Sequence, residues 1–399
     1  MKGLVLEGGG AKGSYHIGVY KAILEEGIEI KGISGTSIGA LNGAMIVQED
    51  FDLCYKLWHD ISYSMIINAS DEEVHNILNM NLSREDVLAT VGKLKELIKD
   101  RGFDISPYKH LLDTYIDEEK IRKSSMDFGM VTVNLSEFKP EQLFIEDIPK
   151  GKLKEYLLAS SYLPFFKMER IEGKLYLDGA FYNNLPFNLL VKKGYEDLIL
   201  VRTHAPGLIR KIDLGHLNTT IISPSEDIGR SYVYDARNAR KNIKLGYYDG
   251  LRAFRKLLGR TYYIKSKEED YFSNYLLSIK KDKIREIGDI LHFPVMPENR
   301  LLFEYIIPKL ATIMDLDKDF DYGDFLIDLL ERKALNDGIN RFKIYSFDEL
   351  LGLIKTEKST ESIDINIGPL ERIMDKIDLS TIFNKEEIIL RIADIIFCK

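Results

Sequence analysis

Lys2-Gly-Leu-Val-Leu-Glu7, Gly8-Gly-Gly-Ala-Lys-Gly13 and, after a helical stretch, Gly35-Thr-Ser-Ile-Gly39 open the chain, and their order decides the fold. Leu4, Val5 and Leu6 are a short apolar run, which suits a strand buried on both faces. The glycine run follows it. Ile17, Tyr20 and Leu24 then recur at helical spacing, and Gly27 is placed to end that helix. Glu29 to Ser34 reads as a second strand, and Gly35 to Gly39 turns from it into a helix containing Ala and Leu. Strand, loop, helix, strand, tight turn, helix is the alternation of a parallel α/β sheet.

Outward from this start, residues 51–128 read mostly helical, with Ser106-Pro107 as an N-cap and a first-turn proline. Strand candidates return at Met130 to Leu135, Leu143 to Glu146, Leu175 to Leu177 and Leu198 to Thr203, and helix resumes after Asp227. A soft boundary falls near Gly259. The expected architecture is a three-layer α/β domain with a mainly parallel central sheet over 1–259, and a helical C-terminal region over 260–399. In the latter, Asn384-x-x-Glu387 reads as a capping box opening a last amphipathic helix.

The 399 residues are 45% apolar and 30% charged, enough for a sizeable core under a solvated surface. The net charge of -8 argues against a nucleic-acid partner, which calls for a basic footprint. Between Arg230 and Arg260, however, nine Lys or Arg face only Asp235 and Asp249. That stretch reads first as a solvated helix face, and second as a patch for docking a negative surface. Two cysteines, Cys54 and Cys398, are too few for a disulfide framework or metal cluster and fit a reducing cytoplasm. No secretory signal is evident, and no run approaches the ~18 apolar residues of a spanning helix. A lipid substrate would therefore be met peripherally on a membrane or in soluble form.

Three segments carry chemistry. Gly35-Thr36-Ser37-Ile38-Gly39 matches G-x-S-x-G, and it stands between strand and helix, the context in which that motif forms a nucleophile elbow. Small neighbours let the backbones pass closely and leave a serine exposed on a sharp turn. Gly8 to Gly13 fits G-x-G-x-x-G, a dinucleotide fingerprint, and equally a loop whose free amides bind an oxyanion. The nearby serine favours the oxyanion reading, since a dinucleotide site has no use for it. Asp178-Gly179-Ala180 follows an apolar strand; alone it reads as a turn. His204 is the histidine that would complete an ordinary Ser-His-Asp triad, and the chain order Ser37, Asp178, His204 permits it. Lys12 either attracts a phosphate headgroup or steadies its loop, and His16 reads as a packing or capping residue.

Taken together and in this order, the three segments resemble the signature of patatin-like phospholipases. The resemblance spans roughly residues 1–255 and includes Ala159-Ser-Ser-Tyr-Leu-Pro164 and Asn183-Asn-Leu-Pro186. It implies a lipid acyl hydrolase with a Ser-Asp dyad, in which Ser37 is the nucleophile and Asp178 the general base. It implies an oxyanion hole from the backbone of Gly8, Gly9, Gly10 and Ala11, and assigns Lys12, Gly13, Gly35, Gly39, Gly179 and Ala180 to the motifs. Such chemistry calls for no metal or organic cofactor. Residues 260–399 lie outside the resemblance. The rival readings are the Ser-His-Asp esterase and a non-catalytic phosphate- or nucleotide-binding module; a third is an effector-like lipase activated by a partner.

Overall fold

The computed structural model describes residues 1–68, 103–164, 166–167, 169–210, 215, 217–268, 270–354 and 379–397. His75, His216 and Cys398 lie outside them. The chain divides into two compact units, Met1–Arg255 and Lys256–Lys399.

The first unit is built on seven strands: β1 (Lys2–Leu6), β2 (Gly32–Thr36), β3 (Asp127–Asn134), β4 (Lys139–Phe144), β5 (Tyr176–Asp178), β6 (Asp197–Val201) and β7 (Asn218–Ile222). Their order is β4-β3-β2-β1-β6-β7, with β5 also paired to β3. The pairs β1–β2, β1–β6, β2–β3 and β6–β7 are parallel, and β4 and β5 run antiparallel to β3. The mainly parallel sheet expected from the opening alternation is present. The edge strand β7, with its weakly apolar sequence Asn-Thr-Thr-Ile-Ile, has no counterpart in the sequence reading.

Parallel connections place helices on both faces. The helices that matter to the site are α1 (Ser14–Glu25), α2 (Ile38–Val47), α3 (Phe51–His59), α4 (Ser106–Tyr115), α5 (Glu118–Lys123), α6 (Leu153–Ser160), α7 (Phe187–Lys192) and α8 (Ala236–Arg255). Leu4 pairs with Ile33, so these two share a face, and a Cβ on Gly43 of α2 would lie 3.0 Å from Ile33. Val5 points the other way, into a cluster with Phe187, Leu190, Leu198 and Leu200. Helix α2 therefore covers one face and α7 the other, which gives three layers. Each fully buried Leu or Ile here contributes about 1.5–3 kcal/mol. Helix α1 ends at Glu25, and Gly27 takes the left-handed φ of 63° that lets the chain leave it. Ser106 is one residue inside α4, with Ile105 in the cap position and Pro107 in the first turn.

In the second unit, α9 (Tyr271–Leu277), α10 (Lys281–Ile290), α11 (Ile307–Ile313), α12 (Tyr322–Asn336), α13 (Phe347–Leu351) and α14 (Leu379–Phe397) accompany a two-stranded parallel pair. That pair, β8 (Tyr263–Ile264) with β9 (Ile344–Tyr345), departs from the all-helical expectation. Helix α14 starts ahead of Asn384, so the capping-box reading there does not hold. Gly259, where the sequence suggests a boundary, belongs to this unit. The residues after it are fastened by Glu331, whose carboxylate accepts the backbone N–H groups of Arg260, Thr261 and Tyr262.

Candidate active site

Two strand ends create the site. Thr36, the last residue of β2, pairs with Val131, and Asp178, the last residue of β5, pairs with Thr132. Strand β4 occupies the opposite edge of β3 along this whole stretch, so β2 and β5 share one edge. One is parallel to β3 and the other antiparallel, so their C-terminal ends meet at consecutive rungs. That meeting brings Ser37 to Asp178, close enough for the serine hydroxyl to pull the carboxyl's pKa down.

At Ser37 the backbone turns with φ 55° and ψ -126°. Non-glycine residues hold such conformations at a cost of about 1–3 kcal/mol, usually where surrounding structure enforces them. The enforcement is visible. A Cβ on Gly35 would lie 2.3 Å from the backbone of Gly39, and one on Gly39 would lie 2.3 Å from the Leu6 carbonyl. Only glycine admits β1, β2 and α2 this close. The Ser37 N–H donates to Ser160 Oγ at 3.0 Å, and the Ser160 hydroxyl donates to the Val131 carbonyl at 2.7 Å. The Asp178 N–H donates to the Tyr162 carbonyl at 2.9 Å. The stretch Ala159 to Tyr162 thus braces both residues. The sequence marks that stretch without giving Ser160 a task.

Asp178 is 1% exposed. Burial pushes its carboxyl up to about 6, against the opposing pull of the Ala180 N–H (2.8 Å) and the Ser37 hydroxyl. Tyr108 and Tyr234 stand close enough to feel its charge. Neither tyrosine carries a signal in the sequence.

The glycine loop is tied to the elbow helix by Asn42 of α2, whose side-chain amide donates to the Gly13 carbonyl at 2.9 Å. Its amides are not equivalent. The Gly8 N–H donates to the Asn184 carbonyl at 3.0 Å, and the Ala11 N–H to the Ser231 carbonyl at 2.7 Å. The N–H groups of Gly8 and Ala11, both in the expected oxyanion stretch, are thus engaged with backbone carbonyls. The N–H groups of Gly9 and Gly10 have no acceptor among the described residues.

Lys12 is buried, and its ammonium donates to the carbonyls of Thr203 (3.1 Å) and His204 (3.3 Å). The buried Glu7 carboxylate accepts the N–H groups of the same two residues (2.6 and 3.1 Å) and pairs with Arg202 (3.0 Å). Lys12 thus steadies the loop after β6. His204 is exposed, and the Asp178 carboxylate accepts the Ala180 N–H and lies beside Ser37 instead. His16 is buried against Asn42, at 3.2 Å, and burial lowers its pKa to about 3, so it packs as a neutral ring. In the basic stretch, Lys241 pairs with Glu226, Arg252 with Asp249, and Arg255 with Glu25 and Glu26. Among the described residues no helix is long and apolar enough to cross a membrane.

The family model of the patatin-like phospholipase matches residues 4–191. Patatin-like phospholipase domain-containing protein 7 of Rattus norvegicus is 25% identical over 202 residues, covering 50% of this chain and 13% of that protein. Neuropathy target esterase sws of Drosophila melanogaster is 57% identical over 199 residues, covering 50% and 12%. The chain thus spans about an eighth of the length of these relatives. Among solved structures, VipD from Legionella pneumophila aligns over 84% of this chain and 85% of its own, with a TM-score of 0.36 and 14% identity. The elbow, the glycine loop and the Asp-Gly-Ala segment all fall inside residues 4–191, the span over which the chain matches the patatin-like phospholipase model.

Proposed function

We propose that this chain is a lipid acyl hydrolase that cleaves carboxylic esters of phospholipids or related acyl lipids, with Ser37 as nucleophile and Asp178 as base. The observation that carries the reading is the meeting of the two strand ends, which sets Ser37 on its strained turn beside the buried Asp178 carboxylate. The family of residues 4–191 supports an acyl-ester substrate.

A carboxylate with a pKa of about 6 is ionised at neutral pH yet basic enough to accept a proton as the serine attacks. Ser37 Oγ bonds to the ester carbonyl carbon, and its proton passes to Asp178. The negative charge gathers on the former carbonyl oxygen, where the Gly9 and Gly10 amides are available to it. Collapse breaks the bond to the alcohol, Asp178 returns the proton to the leaving oxygen, and an acyl-Ser37 ester remains. Water, deprotonated by the same carboxylate, then releases the acid.

A serine-reactive fluorophosphonate and a short-chain ester test this on the purified chain. Ser37→Ala should lose labelling and roughly three or more orders of magnitude in turnover, with unchanged melting. Near-wild-type turnover in that variant would remove the assignment.

A further inference from the structure

The segment between β7 and α8 folds back onto the glycine loop. Its Ser231 carbonyl accepts the Ala11 N–H at 2.7 Å. Three residues on, Tyr234 places its hydroxyl 3.3 Å from where a Cβ on Gly10 would sit, against the same short backbone that holds the free Gly9 and Gly10 amides. Its ring meets Tyr63 edge-on, with centroids 6.1 Å apart at 78°, and forms one wall of a cavity of about 210 Å³ with Ala11, Ile61, Ile228 and Val233.

The tyrosine hydroxyl has no hydrogen-bond partner among the described residues. Tyr234 is half-buried, and its hydroxyl lies beside Gly10 with no acceptor among the described residues holding it, so it is available to donate. Burial, with Tyr108, Asp178 and Tyr63 adding to it, raises the phenol above its ordinary range, so it stays protonated and remains a donor.

We propose that Tyr234 is a catalytic residue of this site: its hydroxyl donates a third hydrogen bond, beside the Gly9 and Gly10 amides, to the oxyanion formed when Ser37 attacks an ester carbonyl. Tyr234 lies outside the span matched by the family model, so this donor is supplied by the chain beyond that core. The proposal rests on the hydrolase reading above.

The test compares wild type, Tyr234→Phe, Tyr63→Phe and Ser37→Ala on a short-chain p-nitrophenyl ester, with a trifluoromethyl ketone as inhibitor. The ketone forms a hemiketal oxyanion on an active serine and so reads the oxyanion site directly. Tyr234→Phe should lower kcat by roughly 10- to 100-fold and weaken the ketone by a similar factor, while KM and melting stay near wild type. Tyr63→Phe, which keeps the ring packed on Tyr234 and removes only that neighbour's hydroxyl, should leave kcat and inhibition nearly unaltered. Unchanged kcat and inhibition in Tyr234→Phe overturn the proposal, as does an equal loss in Tyr63→Phe. If wild type shows no turnover that depends on Ser37, the hydrolase reading falls, and the role of Tyr234 falls with it. With Ser37-dependent turnover in hand, an unaffected Tyr234→Phe removes Tyr234 alone.

Discussion

Two buried carboxylates sit at C-terminal strand ends of the same sheet, and their surroundings differ. Glu7, just past β1, is fully buried and saturated: it takes two backbone N–H groups from the loop after β6 and an ion pair from Arg202. Asp178, at the end of β5, is nearly as buried but has one backbone N–H and the Ser37 hydroxyl. No cation is among the groups that shift it. A carboxylate supplied with donors and an opposite charge holds a fold together. One left short of them is strained toward taking a proton, which is the property a general base needs. Of these two carboxylates, the under-supplied one is the one that meets the elbow serine.

Replacing each carboxylate by its amide is the sharpest way to break this contrast. The largest effect is expected at Asp178. An amide cannot accept a proton, so Asp178→Asn should lose nearly all turnover on an ester that wild type cleaves, measured at matched folded concentration. Its stability should move the other way. The folded-state pKa of about 6 lies above the 3.8 of an ordinary aspartate, so proton binding favours the folded protein. That contribution is full below about pH 4 and is lost as pH rises through 6. At pH 7–8 wild type carries an ionised, desolvated carboxylate at a cost on the order of 3 kcal/mol, and the asparagine variant does not. The variant should therefore melt higher than wild type at pH 8, and the gap should close toward pH 4. A variant that melts lower at pH 8 would show that Asp178 is a structural carboxylate like Glu7. The same titration should appear in wild type as kcat/KM rising with pH to a plateau above about 6.

Glu7→Gln should do the reverse. It replaces one acceptor oxygen with a donor and removes the partner of Arg202, so a loss of about 1–3 kcal/mol in stability is expected. Activity per folded molecule should survive far better than in Asp178→Asn. If denaturant unfolding shows both amide variants shifting stability in the same direction, the distinction between the two carboxylates is wrong.

The smallest effect is expected at His204. Its ring is exposed and the Asp178 carboxylate is engaged elsewhere, so His204→Ala should keep most of its turnover. A fall to the level of Ser37→Ala, without loss of folded protein, would replace the dyad with a Ser-His-Asp triad.

Much of the site's scaffold is legible locally. The apolar run at Leu4 to Leu6, the glycine loop, the helix ending near Gly27 and the elbow all follow from periodicity and glycine placement, which act over a few residues. Strand β2 begins at Gly32 rather than Glu29, a boundary shift that leaves its decisive end at Thr36. Strands at or near the sheet edge are read less well. β7 is exposed or half-buried until its last residue, Ile222, and β4 is exposed to half-buried throughout, so neither has the apolar run of a central strand.

The sequence by itself determined the parallel α/β start, the serine on its turn and the match of residues 4–191 to the patatin-like model, because each depends on short-range pattern. Tertiary structure alone decided which groups meet. That β5 returns antiparallel to finish the edge begun by β2 depends on pairing with β3, a long-range choice that brings Asp178 to Ser37. That Gly8 and Ala11 spend their amides on Asn184 and Ser231, while those of Gly9 and Gly10 meet no acceptor among the described residues, depends on segments far along the chain. That Tyr234 comes to rest against Gly10 has the same origin. Hydrogen-bond satisfaction is settled by whichever backbone arrives beside a group on folding, and no local pattern encodes that arrival.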